Sequence, residues 1–253
     1  MSSNVQKEES QNNTSVYNVI RALIHLLGVL QFSYSVYYDW NYVVIPVSAS
    51  RMGSGYGGKL QFLTFWDAIL QSVYFTICLL NDIIGSNEIS IKEKPLIRKI
   101  KDYMFASVAF PVAMFVGVTF WGLMAIDREL VFPKALDPFF PSWLNHVMHT
   151  NIVIFTLLEM VSSFRTYPKR STGLTGLLAF MVIYLIWVHV IFSKSGVWVY
   201  PVLDVLNWWQ RIIFYLVSLS LQASLYIVGE TLNKAKWGKV QKELEGSKRR
   251  KIK

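Results

Sequence analysis

The sequence holds one cysteine, Cys78, and four histidines. One thiol cannot close an intrachain disulfide, and paired-cysteine metal sites are excluded. Four histidines are too few for the histidine-rich di-iron desaturases and hydroxylases of membranes. No His-Glu-x-x-His helix is present, so the zinc protease design is absent. No Gly-x-Ser-x-Gly elbow is present either, which removes the usual serine hydrolase design. No internal repeat is evident, which argues against a small transporter built from repeated halves. Acidic residues are scarce beside basic ones, 16 against 25, giving a net charge of +9.

Apolar residues are abundant instead. They make up 53% of the 253 residues, 15% are aromatic, and the mean hydropathy is +0.35. That exceeds an ordinary soluble domain. Six apolar runs, at 17–38, 62–85, 103–126, 143–163, 172–193 and 209–232, are each long enough to cross a hydrocarbon core of about 30 Å as helices. The expectation is an all-α polytopic membrane protein with six transmembrane helices at 17–232. A polar cytosolic tail at 1–16 and a basic cytosolic tail at 233–253 flank it. The first run is longer than a signal-peptide apolar region and lacks a small-residue cleavage site, so it reads as a helix.

Charge distribution sets the orientation. With both termini in the cytosol, the cytosolic segments carry 18 of the 25 Lys and Arg residues and the opposite loops carry five. The positive-inside rule favours that arrangement. The basic tail follows a span directly, where Lys and Arg meet anionic headgroups. Membrane lipids, not nucleic acid, are therefore the expected contact. The final Arg250-Lys251-Ile252-Lys253 has the form of a dibasic endoplasmic-reticulum retrieval signal. The sequons at Asn12 and Asn13 fall in the cytosolic tail and should stay unmodified.

Threading the spans brings Thr64 and His149 to similar depth near the luminal side. Polar groups at membrane depth are costly and are functional candidates. Thr64, Asp67 and Gln71 recur at i, i+3, i+7 and share one helix face. Asn145, His146 and His149 share a broad face of the fourth span. His189 and Arg211 lie near the luminal ends of the fifth and sixth. Glu159 sits ten residues past His149, about 15 Å along a helix. It is therefore expected to pair with Arg165 or a neighbouring helix rather than orient His149. His25 reads as a helix-packing hydrogen-bond partner. Pro111 is expected to kink the third span. Gly53-Ser54-Gly55-Tyr56-Gly57-Gly58 satisfies G-x-G-x-x-G but lies between two spans, so it reads as a tight turn, not a dinucleotide site.

One chemistry fits these residues: a threonine hydroxyl activated by a histidine base. Asn145, His146 or Asp67 would fix the tautomer of His149, with His189 a further supporting candidate. For a lone threonine, the sequence alone favours a hydroxyl bonded to its own backbone one turn back. His146, His149, His189 and Asp67 lack the tight spacing of a metal site, and no metal or cofactor is expected. The alternative is a non-enzymatic lipid-binding or regulatory scaffold, with these polar groups holding helices together.

Several segments also resemble a known family. They are Tyr56-Gly57-Gly58, Phe62-Leu63-Thr64-Phe65, Ala109-Phe110-Pro111, Asp127-Arg128-Glu129 with Pro133-Lys134, Trp143-Leu144-Asn145-His146 and Met148-His149-Thr150. Tyr167-Pro168, Gly173-Leu174-Thr175, Trp198-Val199-Tyr200-Pro201 and Gly229-Glu230 follow in order. The chain resembles the androgen-induced gene 1 family of multi-span membrane proteins, which includes the androgen-dependent TFPI-regulating proteins. The resemblance implies a membrane threonine hydrolase cleaving fatty acid esters of hydroxy fatty acids, its lipid substrate arriving from the bilayer. It puts the nucleophile on Thr64 and the essential histidine on His149 rather than His146. The polar N-terminal and basic C-terminal tails depart from the family pattern.

Overall fold

A computed structural model describes the backbone at residues 2–46, 56–89, 91 and 93–252, with side chains described between residues 16 and 243 of those stretches. Gly53, Ser54 and Gly55 lie outside the described residues. So do the side chains of Asn12, Asn13 and residues 250–253. Among the described residues the chain is all helical. In order come α1 (Ser2–Tyr42), α2 (Leu63–Ile84), α3 (Leu96–Met104), α4 (Phe110–Ile126), α5 (Ser142–His146), α6 (Ile152–Ser162), α7 (Arg170–Ser195), α8 (Pro201–Val205) and α9 (Trp208–Ile252).

Five helical stretches are long and apolar enough to cross a membrane: Val16–Tyr42, Leu63–Ile84, Leu96–Ile126, Arg170–Ser195 and Trp208–Glu243. They correspond to five of the six expected runs. The third begins earlier than the sequence suggested, because α3 carries Arg98, Lys101 and Asp102 into the bundle, where all three are buried. The fourth run, 143–163, does not form one uninterrupted α-helix. A π-helical turn at Val147–Asn151 separates α5 from α6. Helix also continues past both ends of the expected membrane domain, since α1 starts at Ser2 and α9 reaches Ile252. The Lys-rich segment after Asn233 has good helix formers and no proline to stop it.

Burial follows membrane logic. Leu23, Leu27, Leu30, Ile183, Ile186, Ile213 and Leu216 are all exposed on the outer helix faces, where lipid rather than water meets them. Helices approach closely at small residues. A Cβ on Gly28 of α1 would lie 2.6 Å from the Phe75 ring of α2, so α1 and α2 pack through that contact.

Near Pro111, where a kink is expected, a π-helical stretch, Phe105–Ala109, immediately precedes α4. Pro has no N–H to continue the ladder. Gln71 of α2 donates from Nε2 to the Ala109 carbonyl at 2.9 Å and to Asp67 Oδ1 at 2.8 Å.

At the end of the bundle away from Thr64, polar groups form a buried chain. His25 bridges Asp82 and Glu159. Glu159 also takes hydrogen bonds from Tyr74 at 2.9 Å, Ser163 at 2.9 Å and Arg165 at 3.0 Å. The expectation that Glu159 pairs with Arg165, and that His25 serves as a packing partner, agrees with this arrangement. Cys78 lies near the same carboxylate. His25, Cys78 and Glu159 converge closely enough to hold an ion. However, the Arg165 guanidinium against Glu159 already supplies the positive charge there, so ion-pair balance accounts for the cluster.

Candidate functional site

The turn into α2 positions Thr64. Gly57 and Gly58 have φ of +97° and +55°, a left-handed backbone that glycine adopts without penalty. This is the tight turn expected of those two glycines. A 3-10 turn, Gly58–Gln61, follows, and α2 begins at Leu63. Four side chains pin that entry. Trp66 and Trp187 both donate to the Leu60 carbonyl, at 2.7 and 2.9 Å. Tyr184 donates to the Gln61 carbonyl at 2.9 Å. The Tyr200 hydroxyl accepts from the Leu63 N–H at 2.9 Å and meets the Tyr184 hydroxyl at 2.9 Å. Tyr184 spends its one proton on Gln61, so Tyr200 donates to Tyr184. Thr64 therefore rides on a fixed backbone.

His149 comes from the π-helical turn between α5 and α6. Its Nε2 lies 3.2 Å from Thr64 Oγ1. Its Nδ1 lies 3.0 Å from the backbone carbonyl of Asn145. A carbonyl only accepts, so Nδ1 carries the proton and Nε2 presents a lone pair to the threonine hydroxyl. The Phe120 ring of α4 stacks on the imidazole, with centroids 3.6 Å apart and planes 16° apart. Thr64 is half-buried and His149 is buried.

The other sequence-derived candidates separate. Asn145 contributes its backbone carbonyl to His149, while its side-chain Oδ1 has no hydrogen-bond partner among the described residues. His146 is exposed, stacks on Trp121 and meets Thr150. The expected sharing of one face by His146 and His149 fails because the π-helical turn, with its i→i+5 spacing, changes the angular step. Asp67 is buried one turn below Thr64 and pairs with Gln71, with no hydrogen bond to His149. His189 bonds the Leu185 carbonyl and packs edge-on against Trp198 and Tyr215. Arg211 stacks over Trp198 and Trp208 and donates to the Leu203 carbonyl. His146, His149, His189 and Asp67 do not converge as a metal-ligand group.

Two cavities meet at Thr64. The larger, about 130 Å³, is walled by α4, α7 and α9 and is almost wholly apolar, with Phe115, Leu123, Met181, Val188 and Phe214 in its lining. The smaller, about 80 Å³, is lined by His149, Phe120, Phe132, Phe140 and Asp39. Val131 lines both, so the segment after Asp127 contributes to the wall of the site. Sequence reasoning missed Phe120, Tyr184 and Tyr200. Phe120 is one aromatic within an apolar run and gives no signal. Tyr200 stood in a segment that marked only the family resemblance.

The FAR-17a/AIG1-like protein model matches residues 20–234. The chain is 43% identical over 215 residues to the human androgen-induced gene 1 protein, covering 82% of this chain and 88% of that protein. It is 39% identical over 193 residues to the androgen-dependent TFPI-regulating protein of Mesocricetus auratus, covering 76% and 83%. A membrane protein of Schizosaccharomyces pombe is 26% identical over 176 residues, covering 68% and 74%. No solved structure matches. With five apolar helices of spanning length and a match that runs from α1 into α9, this multi-pass membrane protein belongs to the FAR-17a/AIG1-like family.

Proposed function

We propose that the protein is a membrane-embedded threonine hydrolase that cleaves lipid esters, with Thr64 as nucleophile and His149 as general base. The observation that carries this reading is the 3.2 Å contact between Thr64 Oγ1 and the unprotonated Nε2 of His149, at the junction of two largely apolar cavities. A threonine hydroxyl attacks an ester only if a base takes its proton during attack. His149 is within reach to do so.

In this scheme Thr64 Oγ1 bonds to the acyl carbon and its proton moves to His149 Nε2. The tetrahedral intermediate collapses, the acyl–alkoxy bond breaks, and His149 returns that proton to the leaving alcohol. Water then attacks the acyl-threonine with His149 again as base, releasing the acid and restoring the Thr64 hydroxyl. The Asn145 carbonyl bond to Nδ1 supports the tautomer needed throughout. The apolar lining supports a fatty substrate that reaches the site from the bilayer. Fatty acid esters of hydroxy fatty acids fit as substrates. The positive-inside distribution supports six spans, with the path from Ser142 to Ser162 as the fourth, and both tails in the cytosol. The C-terminal basic residues support residence in the endoplasmic reticulum.

Ester turnover by the purified protein in nanodiscs tests the proposal. Thr64→Ala and His149→Ala should each lower the rate by about a hundredfold or more, with helicity retained. An unchanged rate in either variant sinks the assignment. It leaves a lipid-binding scaffold in which the same contact holds α2 to the π-helical turn.

A further inference from the structure

Beside Thr64 and the half-buried Ser218, four hydroxyls line the larger, otherwise apolar cavity, and they fall into two pairs. Tyr184 and Tyr200 are engaged with each other and with the α2 entry. Thr119 Oγ1 on α4 and the Tyr215 hydroxyl on α9 are buried and have no hydrogen-bond partner among the described residues. The state of Thr119 is unusual for this bundle. Thr76 and Thr231 each turn the hydroxyl back to the carbonyl four residues earlier, at 2.8 Å, the ordinary use of a threonine in a membrane helix. Thr119 does not. The other unpartnered buried hydroxyls, on Ser107, Tyr167 and Tyr226, do not line this cavity. Leaving a buried hydroxyl unpaired is costly, so its location calls for an explanation.

We propose that Thr119 and Tyr215 form a subsite for a neutral oxygen function carried on the hydrocarbon chain of the bound lipid, separate from the ester bond at Thr64. Each residue lies seven positions inside its helix end, Ile126 of α4 and Trp208 of α9, which is about 10 Å along either axis. These two helices pack on each other. A hydroxyl both donates and accepts, so the pair suits a hydroxyl, a ketone or a second ester. No Lys, Arg or His lines this cavity. The nearest cation on α9, Arg211, one turn from Tyr215, is already held over Trp198 and Trp208 and against the Leu203 carbonyl. A carboxylate or phosphate is therefore disfavoured here, and the free carboxylate of a hydroxy fatty acid ester belongs outside this cavity. The subsite rests on the hydrolase reading only for which end of the lipid faces Thr64; its binding does not require turnover.

The test uses Thr64→Ala protein in nanodiscs, where nothing is consumed. Methyl octadecanoate and a series of its derivatives, each with one keto group at a successive carbon, compete against a fluorescent fatty ester. One keto position should bind about three- to tenfold tighter than the plain chain, the size of one or two net hydrogen bonds. That ratio should fall toward one in Thr119→Val and in Tyr215→Phe. A flat series overturns the subsite. So does a preference that survives both substitutions, or a chain ending in a carboxylate that outcompetes every ketone. Turnover by the unsubstituted protein separates the two readings. Ester cleavage with a flat keto series removes the subsite alone. A clear keto preference in a protein that never cleaves an ester removes the hydrolase alone.

Discussion

His149 lies flat against Phe120, with ring centroids 3.6 Å apart, and with Nδ1 held by the Asn145 carbonyl its Nε2 reaches Thr64. The stacking fixes the plane of the imidazole, and the hydrogen bond fixes its rotation within that plane. Neither contact alone determines where Nε2 falls.

Replacing Phe120 with Leu should therefore loosen the imidazole without emptying the site. The expected result is a fall in kcat of about tenfold, because a base displaced by a fraction of an ångström loses much of its effect. KM should change less, and Phe120→Tyr should retain most of the rate. Steady-state kinetics on both variants check this. An unaltered kcat in Phe120→Leu means the stacking does not position the base.

Tyr200 holds the backbone entering α2 rather than the Thr64 side chain. Tyr200→Phe keeps the ring against Phe62 but leaves the Leu63 N–H and the Tyr184 hydroxyl short of a partner. The loss should be about 1–3 kcal/mol of stability, the penalty for unpairing a buried donor. The same change should reduce fluorophosphonate labelling of Thr64. Thermal unfolding and labelling kinetics measure the two effects separately. Wild-type values in both show that the α2 entry is held without Tyr200.

In the proposed reaction, the fourth expected span acts through a backbone carbonyl and one of its two histidines. Asn145→Ala retains the carbonyl that orients His149, so ester turnover should stay within about threefold of wild type. His146 is exposed and outside the site, so His146→Ala should behave likewise. A hundredfold loss in either variant shows that the side chain, not the carbonyl or His149, does the positioning.

The buried chain around Glu159 should matter to folding rather than to chemistry. Glu159→Gln removes a charge that faces both His25 and Arg165. Breaking one partner of a buried ion pair typically costs about 3–5 kcal/mol. A markedly lower unfolding temperature in detergent and poor recovery are expected. Unfolding at the wild-type temperature means that His25 and Arg165 find other partners.

The contrast between Thr64 and Phe120 shows what was legible in the sequence. Thr64 and His149 stood out because polar groups are rare within apolar runs, and helical rise gave their approximate depth. Glu159 was separated from His149 by the same arithmetic. Phe120 carried no signal, because one aromatic among many cannot announce which ring it will touch. The shared face expected of His146 and His149 failed because nothing in the residue pattern marks the π-helical turn at Val147–Asn151.

The sequence by itself determined the class of molecule. Apolar runs of spanning length, a strong bias of basic residues to one side and few intramembrane polar groups follow from composition and order, and each has a direct cost in a bilayer. Only the tertiary structure decided the site. Packing brought α2 to the π-helical turn, set Nε2 of His149 3.2 Å from Thr64, and chose a backbone carbonyl rather than Asp67 as the orienting group. Those outcomes depend on distances between segments far apart in the chain, set by how helices interlock rather than by what any one of them contains.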